Sequence, residues 1–410
     1  MANPKKILIH YTHKGTLGHT TRIQSLCHEL VRQYGARVKI HVLQGGLPQP
    51  FIRFPRQVRL IPIPAPFDSR ASFRIGRKIQ KNDRLRSHFV LKIAQRIEPD
   101  VFLTEFFPFG RQDYIPELLP ALQALHRQGT RIYASIGYPC CVDQIDGQNR
   151  DLAAGRAGII TLYDKIFIHT PEGLENRYFQ KTLPTPALRH NYANFYRAIA
   201  PKTIYTGYIV PARPGSTPRR AALTRHTPGK YSVVVSRGGG AVYPKVIINA
   251  VKAQKILGDK YRLIIALGPS TSPAEQKVFQ MVLKDHPSRN IAILDDIPDL
   301  PYFLERCDTS VSLCGYNTSV QLLGARIPGI VVPFVNPNSP FPSNEQSARA
   351  LLLRDHGGSS VLPYNKMTPE AIAGTIREKC ENGRNVFKSP AGWFNGASNT
   401  AGLLMQDERR

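Results

Sequence analysis

The sequence predicts an α/β protein made of two doubly wound, Rossmann-like domains that face each other across a cleft. Three observations carry this. Short β-branched runs alternate with amphipathic stretches almost from end to end. The alternation is interrupted by one Pro-, Arg- and Thr-rich segment. The chain has 410 residues, more than the roughly 250–300 at which a single core stops growing.

In the first half, strands are expected at 5–11 (KKILIHY), 36–43, 57–63, 100–105, 131–136 and 164–170. After the first of them, Ile23, Leu26, Cys27 and Leu30 fall at helical spacing, and 115–129 (IPELLPALQALHRQG) repeats that pattern. Strand and helix in alternation build a parallel sheet covered on both faces. Segment 207–229 holds four prolines and three glycines, a poor element interior, and reads as a connection. The alternation resumes with strands at 230–236, 261–267, 290–294, 309–314, 327–334 and 358–364, and helices at 243–257, 272–285 and 368–380. The expected organisation is a domain over 1–206, a linker over 207–229, a domain over 230–385, and a C-terminal segment over 386–410. Ligands in such sheets bind beyond the carboxyl ends of the strands, so the site is expected in the cleft.

Apolar residues make up 42% and charged residues 20% of the chain, which fits a folded globular protein and excludes a disordered one. No apolar run reaches the ~18 residues of a membrane span, and the N-terminus lacks the apolar core of an export signal. A cytoplasmic location is expected. Cys140 and Cys141 are adjacent, the other four cysteines are scattered, and no CxxC pair suggests a zinc site or a disulfide framework. The net charge of +26 is the unusual bulk property. Residues 1–97 hold 19 Lys/Arg against three acids, densest over 70–96. Such a field attracts an anionic membrane surface at the inner face of the membrane, a lipid-linked phosphate, or nucleic acid or another polyanion; a plain solvated basic surface is the simpler account.

Each domain opens with strand, glycine loop and helix. SRGGGAVYP (236–244) sets Gly238, Gly239 and Gly240 between strand and helix, where bare backbone approaches a ligand closely and helix-start amides favour anions. Ser236 adds a hydroxyl, and a diphosphate is the natural guest; a tight turn is the alternative. HYTHKGTLGHTTR (10–22) is neither GxGxxG nor a P-loop. It offers Gly15 and Gly18 for backbone freedom and His19 at a helix mouth, which favours the neutral ring able to take a proton from an alcohol.

GTLGHTTR resembles the GxGHxxR-type opening of GT-B glycosyltransferases, in particular the MurG-like family 28 branch. SRGGGA (236–241) is similar to that family's GGSxGA loop, LCGYNTSVQLLGARIPGIVVPF (313–334) to its SGAxTxxE…P stretch, and NEQSARAL (344–351) to its QQxxNA stretch. DVFLTEFFPFGRQ (100–112) also resembles a subgroup of predicted bacterial members. The resemblance spans nearly the whole chain, with the motifs in order. It implies a GT-B fold and inverting, metal-independent sugar transfer from a nucleotide diphosphate sugar, most simply a uridine one, to a hydroxyl acceptor. The nucleotide sugar is a co-substrate, and no further cofactor is implied.

Carried over, the resemblance makes His19 the acceptor's base. Gly238, Gly239, Gly240 and Ser236 go to the donor diphosphate. Gly315, Tyr316, Asn317 and Thr318 form a second helix start facing the donor, and Glu345 and Gln346 the paired donor contacts. Gln321 stands where the family has a ribose-binding glutamate, and Arg349 where it has an asparagine; both departures bear on which nucleotide sugar is used. Arg22 and Gly15, Gly18 fall on the acceptor side. Glu105 and Arg111 flank FFPFG: Glu105 is a candidate to assist proton removal and Arg111 to bind an acceptor phosphate, with a structural salt bridge between them as the alternative. Asp295, Asp296 and Asp299 read as a helix opening rather than a metal cluster. The last segment holds Trp393 and is expected to return to the first domain as GT-B chains do. Competing readings are a nucleotide-sugar 2-epimerase, a polyanion-binding protein with a vestigial site, and a transferase whose acceptor is nucleic acid.

Overall fold

The computed structural model describes residues 3–13, 17–46, 49, 52–63, 76–109, 114–137, 157–211, 230–239, 243–294, 300–335, 344–382 and 387–406, without the side chains of 76–83 and 344. Gly15, Arg111, Gly240, Cys140, Cys141, the three aspartates of 295–299 and the linker from 212 to 229 lie outside the described residues.

Two all-parallel sheets form. The first contains β1 (Lys5–Thr12), β2 (Val38–Gly45), β3 (Val58–Pro62), β4 (Val101–Glu105), β5 (Arg131–Ile136), β6 (Lys165–Ile168) and β7 (Thr203–Tyr205), in the order β3-β2-β1-β4-β5-β6-β7. The second contains β8 (Tyr231–Ser236), β9 (Tyr261–Ala266), β10 (Ile291–Leu294), β11 (Thr309–Leu313), β12 (Gly329–Val332) and β13 (Ser360–Val361), in the order β10-β9-β8-β11-β12-β13. The helices used below are α1 (Gly18–Tyr34), α2 (Gly76–Ile97), α3 (Ile115–Arg127), α4 (Leu174–Thr182), α5 (Pro186–Ile199), α6 (Lys245–Leu257), α7 (Pro273–Asp285), α8 (Leu300–Leu304), α9 (Tyr316–Ala325), α10 (Asn344–Gly357), α11 (Pro369–Asn382) and α12 (Gly396–Met405). None of the described helices is long and apolar enough to cross a membrane.

Period two divides each central strand between two buried layers. In β1, Leu8 packs with Leu43, Phe102 and Ala134 on one face, while Ile7, Ile9 and Tyr11 pack with Ile23, Leu26, Cys27 and Leu30 of α1 on the other. Each such aliphatic side chain contributes about 1.5–3 kcal/mol on leaving water. The layer under α1 is completed from the far end of the chain, by Ala401 and Leu404 of α12. Gln33 reaches Ser398 Oγ at 2.8 Å and Asn399 donates to the Thr206 carbonyl at 2.8 Å.

The chain crosses between the sheets at 206–211 and again at 390–396, and the two crossings touch. Tyr208 N–H donates to the Trp393 carbonyl (2.6 Å) and Gly396 N–H to the Tyr208 carbonyl (3.0 Å). A Cβ on Gly396 would overlap the Gly207 carbonyl oxygen, so the approach requires glycine.

Three features were not foreseen. β7 is three residues long, too short for a pattern to register. α4 and α5 follow β6 and carry many polar residues, and α4 meets the second domain through Tyr178, whose hydroxyl donates to Asp355 at 3.0 Å. The basic run over 70–96 becomes α2 from Gly76 onward, and one of its cations is not part of any surface field: Arg86 is buried, with Nε 2.6 Å from Glu117 Oε2.

Candidate active site

In the first sheet the strand order reverses at β1: β2 lies on one side and β4 on the other. The crevice above that switch point is bordered by the start of α1 and the end of β4. His19 stands in the first turn of α1, whose N-terminus has no side-chain cap, and Glu105 is the last residue of β4. They meet there, with His19 Nδ1 3.0 Å from Glu105 Oε1. Arg22, one turn further along α1, donates to the same oxygen through Nε at 3.0 Å and through its terminal nitrogen. Glu105 is paired with Arg22, a partner that the sequence reading set on the acceptor side. Burial alone would raise the Glu105 carboxyl, but Arg22 and His19 outweigh it and hold it at about 2. A carboxylate at Nδ1 requires the proton there, so in the neutral ring the lone pair is on Nε2. Phe106 follows in the left-handed region (φ 67°) and brings its ring 5.2 Å from that of His19.

The other carboxylate oxygen heads a chain of hydroxyls and imidazole that sequence reading missed. Ser135, opposite Glu105 in the ladder, donates to Oε2 at 2.5 Å. His169 Nε2 lies 2.8 Å from Ser135 Oγ, and its Nδ1 lies 2.8 Å from Thr206 Oγ1. Burial, assisted by Arg22, depresses His169 to about 3, so it is neutral. With the Ser135 hydroxyl donating to Glu105, the neutral ring donates from Nε2 to Ser135 and accepts at Nδ1 from Thr206, whose hydroxyl also lies 3.2 Å from Gly207 O. Nothing in the local pattern marks these three residues. They sit at or just beyond the ends of β5, β6 and β7, and only the sheet order aligns them.

The second sheet reverses at β8, between β9 and β11. Ser236 ends β8, and its Oγ accepts from Gly238 N–H at 3.1 Å. Gly238 has φ 62°, and no atom lies within 4 Å of where its Cβ would be. Gly239 O accepts from Ser270 N–H at 2.9 Å. The loop is staked from below by Arg237, fully buried, which reaches Leu267 O, Thr271 Oγ1 and Glu275 Oε1. Glu275 also closes a capping box with Ser272 at the start of α7, and the Arg237 bond leads in holding its carboxyl at about 2.

Across the switch point, Gly315 is the N-cap of α9 and no side chain caps that helix. Asn317 Oδ1, Ser319 Oγ and Gln321 Nε2 are buried and have no hydrogen-bond partner among the described residues. Buried polar atoms left this way are costly unless a ligand supplies the partner. Thr318 is buried beside them. Gln346 Oε1 accepts from Phe334 N–H at 3.0 Å, and Glu345 Oε2 accepts from Arg349 at 3.1 Å.

Tyr316 departs from expectation. Its side chain leaves the donor face: the hydroxyl donates to His169 O at 2.8 Å and accepts from Ile209 N–H at 3.0 Å. Its ring lies 4.9 Å from the Arg22 guanidinium carbon. Arg22 likewise is no open acceptor contact but a buried cation between Glu105 and Tyr316. His19, Glu105 and Arg22 thus form one cluster, Ser236, Gly238, Gly239, Gly315, Asn317, Thr318 and Gln321 border a second, and Arg22 and Tyr316 join them.

Behind Tyr316 the domains share a buried ion pair. Arg349 of α10 donates to Cys314 O at 3.0 Å and lies 3.8 Å from Glu175 of α4. Burial raises the Glu175 carboxyl to about 7 against the pull of Arg349. A folded-state value above the unfolded one stabilises at low pH and loses that contribution as pH rises from about 4.5 through 7. Glu175→Gln is therefore expected to lose less stability than wild type between pH 5 and pH 8, by on the order of 1–3 kcal/mol. Denaturant melts of both proteins at the two pH values check this; parallel losses would count against it.

Residues 233–394, which include the triglycine turn, the start of α9 and the start of α10, match the glycosyltransferase family 28 C-terminal domain. A UDP-N-acetylglucosamine--N-acetylmuramyl-(pentapeptide) pyrophosphoryl-undecaprenol N-acetylglucosamine transferase of Prochlorococcus marinus (strain MIT 9215) is 24% identical over 200 residues, 46% of this chain and 49% of that protein. Its counterpart in strain MIT 9312 is 29% identical over 94 residues, 22% of this chain and 25% of that protein. The chain therefore matches between a quarter and a half of the length of these curated relatives. Among solved structures, MurG of Acinetobacter baumannii gives a TM-score of 0.53 at 15% identity, covering 98% of this chain and 99% of that one. Such likeness speaks to fold: residues 233–394 lie in the second lobe of a GT-B architecture, and the first lobe, with His19, completes it.

Proposed function

We propose that the protein is a glycosyltransferase that moves a sugar from a nucleotide diphosphate sugar, a uridine one by preference, to a hydroxyl acceptor, with inversion and without a metal. The observation that carries the reading is the contact of Arg22 with Tyr316 at 4.9 Å. It ties the crevice holding His19 to the helix start holding Gly315, so a base and an anion-binding backbone serve one cleft. In the reaction His19 Nε2 takes the acceptor's hydroxyl proton as that oxygen attacks the anomeric carbon. The bond from that carbon to the diphosphate oxygen breaks, and the nucleoside diphosphate leaves with the electron pair. Amide N–H groups of the triglycine loop and of the α9 start face the charge that builds on the leaving group. Glu105 balances the imidazolium that forms. The unpartnered Asn317, Ser319 and Gln321 atoms are the groups a bound donor would satisfy.

The acceptor is a hydroxyl on an anionic or lipid-linked molecule at the inner face of the membrane. Support comes from the excess of 19 Lys/Arg over three acids in residues 1–97, and from Arg84, Lys92 and Arg96, exposed on α2. The test is a thermal-shift panel of nucleotide sugars, followed by product analysis with donor alone. A bound donor at a hundred times its Kd is expected to add about 2.7 kcal/mol. Conversion of donor alone to its 2-epimer, or no stabilisation by any nucleotide sugar, would overturn the proposal.

A further inference from the structure

One contact joining the two lobes is made by Tyr316. The Tyr316 side chain is fixed at both ends. Its hydroxyl bridges the His169 carbonyl at the end of the first sheet and the Ile209 N–H in the crossing between domains. Its ring carries the Arg22 guanidinium. Arg22 in turn binds Glu105 twice and lies 3.4 Å from His19 Nδ1. The ring of Tyr208, in the same crossing, lies 6.1 Å away. The Arg22 guanidinium packs against Gly137, in the space that a Cβ there would occupy. Arg22 is 4% exposed and Tyr316 8%, so water does not take over either role.

We infer that Tyr316 is a positioning residue through which the placement of the second lobe sets the alignment of the His19–Glu105 pair. Tyr316 is the first residue of the helix whose amide N–H groups are read above as facing the donor diphosphate. A shift of that helix relative to the first lobe moves the ring under Arg22. Arg22 cannot move without changing how Glu105 is shared between it and His19. The base is thereby oriented only when the second lobe occupies the position seen here, which links donor seating to proton removal. The inference rests on the reading of His19 as the base.

The test uses Tyr316→Phe, which removes the two hydrogen bonds and keeps the ring, and Tyr316→Leu, which removes both, in the full-length protein. Expected losses in kcat are about 5-fold for Tyr316→Phe and roughly 10–30-fold for Tyr316→Leu, with affinity for uridine diphosphate alone unchanged. In a His19→Ala background Tyr316→Leu is expected to cost no further turnover, because its effect passes through that ring. A readout independent of activity is the His19 Nδ1–H resonance, assigned by its absence in His19→Ala. It is expected to shift or broaden in Tyr316→Leu. An unchanged resonance overturns the inference, as does nucleotide affinity that falls in step with kcat, since that would make Tyr316 a donor contact. Near-normal turnover of His19→Ala alone would instead overturn the base assignment, and the resonance still decides whether Tyr316 governs the pair.

Discussion

His19→Ala is expected to lower turnover by ~10²–10⁴-fold, the range lost with a general base, while leaving donor affinity near that of wild type. The two expectations have separate structural grounds. The ring is on the first-lobe side of the cleft, whereas the groups proposed to meet the donor are Ser236, Gly238, Gly239 and the start of α9. Removing the ring does not release Glu105 from its other partners. Arg22 holds Oε1 and Ser135 holds Oε2, so the carboxylate stays ionised and the buried charge stays paired. Folding is expected to be little affected for that reason, which makes the variant a clean test. Initial rates with saturating donor and acceptor give the turnover, and nucleotide titration gives the affinity. Turnover within a few-fold of wild type would remove His19 from the role.

What the sequence made legible follows from how local each signal is. Leu8 alternating with Ile7 and Ile9, and the Ile23, Leu26, Leu30 stripe, announce a doubly covered strand and its helix, because burial on both faces leaves a hydrophobic imprint over a few residues. The glycine turns are equally local: Gly238 at φ 62° is in the left-handed region that glycine enters at least cost. The His19–Glu105 pair was half legible, since each lies just beyond a strand's carboxyl end, but 86 residues separate them and only the β2-β1-β4 order brings them together. Ser135, His169 and Thr206 left no trace, because a hydroxyl at a strand end looks the same whether it faces solvent or a buried carboxylate. The direction of the Tyr316 side chain was not foreseen, for a related reason. Its position in the chain fits a helix start above a diphosphate, and the helix start is there. The side chain leaves from that helix toward another domain, a direction set by packing across the interface and not by neighbouring residues.

Glu105→Gln is expected to be the most damaging conservative change in the molecule, on two counts that can be measured apart. The first is stability. Arg22 is buried and Glu105 is its ion-pair partner at hydrogen-bond distance among the described residues, so a neutral amide leaves a cation uncompensated, at a cost of about 3–5 kcal/mol. The sign with pH follows from the Glu105 carboxyl lying at about 2: a folded-state value below the unfolded one contributes stability that is present above about 4.5 and lost as pH falls toward 2. The variant is therefore expected to be weaker than wild type at neutral pH and to approach it in acid. The second count is chemistry. His19 Nδ1 and Arg22 share Oε1, so a glutamine that sets its carbonyl there keeps the His19 tautomer but no longer balances the imidazolium. One that sets its amide there turns N–H groups toward both and forces the His19 lone pair onto Nδ1 and the proton onto Nε2. A base with its proton already in place cannot accept the acceptor's. In serine proteases, replacing the carboxylate behind the catalytic histidine by its amide produces the same tautomer error and costs about 10⁴-fold. Turnover here is expected to fall by ~10²–10⁴-fold at a temperature where the variant is fully folded, the upper end holding where the amide faces His19. Denaturant melts from pH 3 to 8 read the first effect, and single-turnover rates on folded protein read the second. A Glu105→Gln protein that melts like wild type at pH 7 would mean that Arg22 finds another anion, and one that turns over like wild type would mean that Glu105 does not govern the His19 ring.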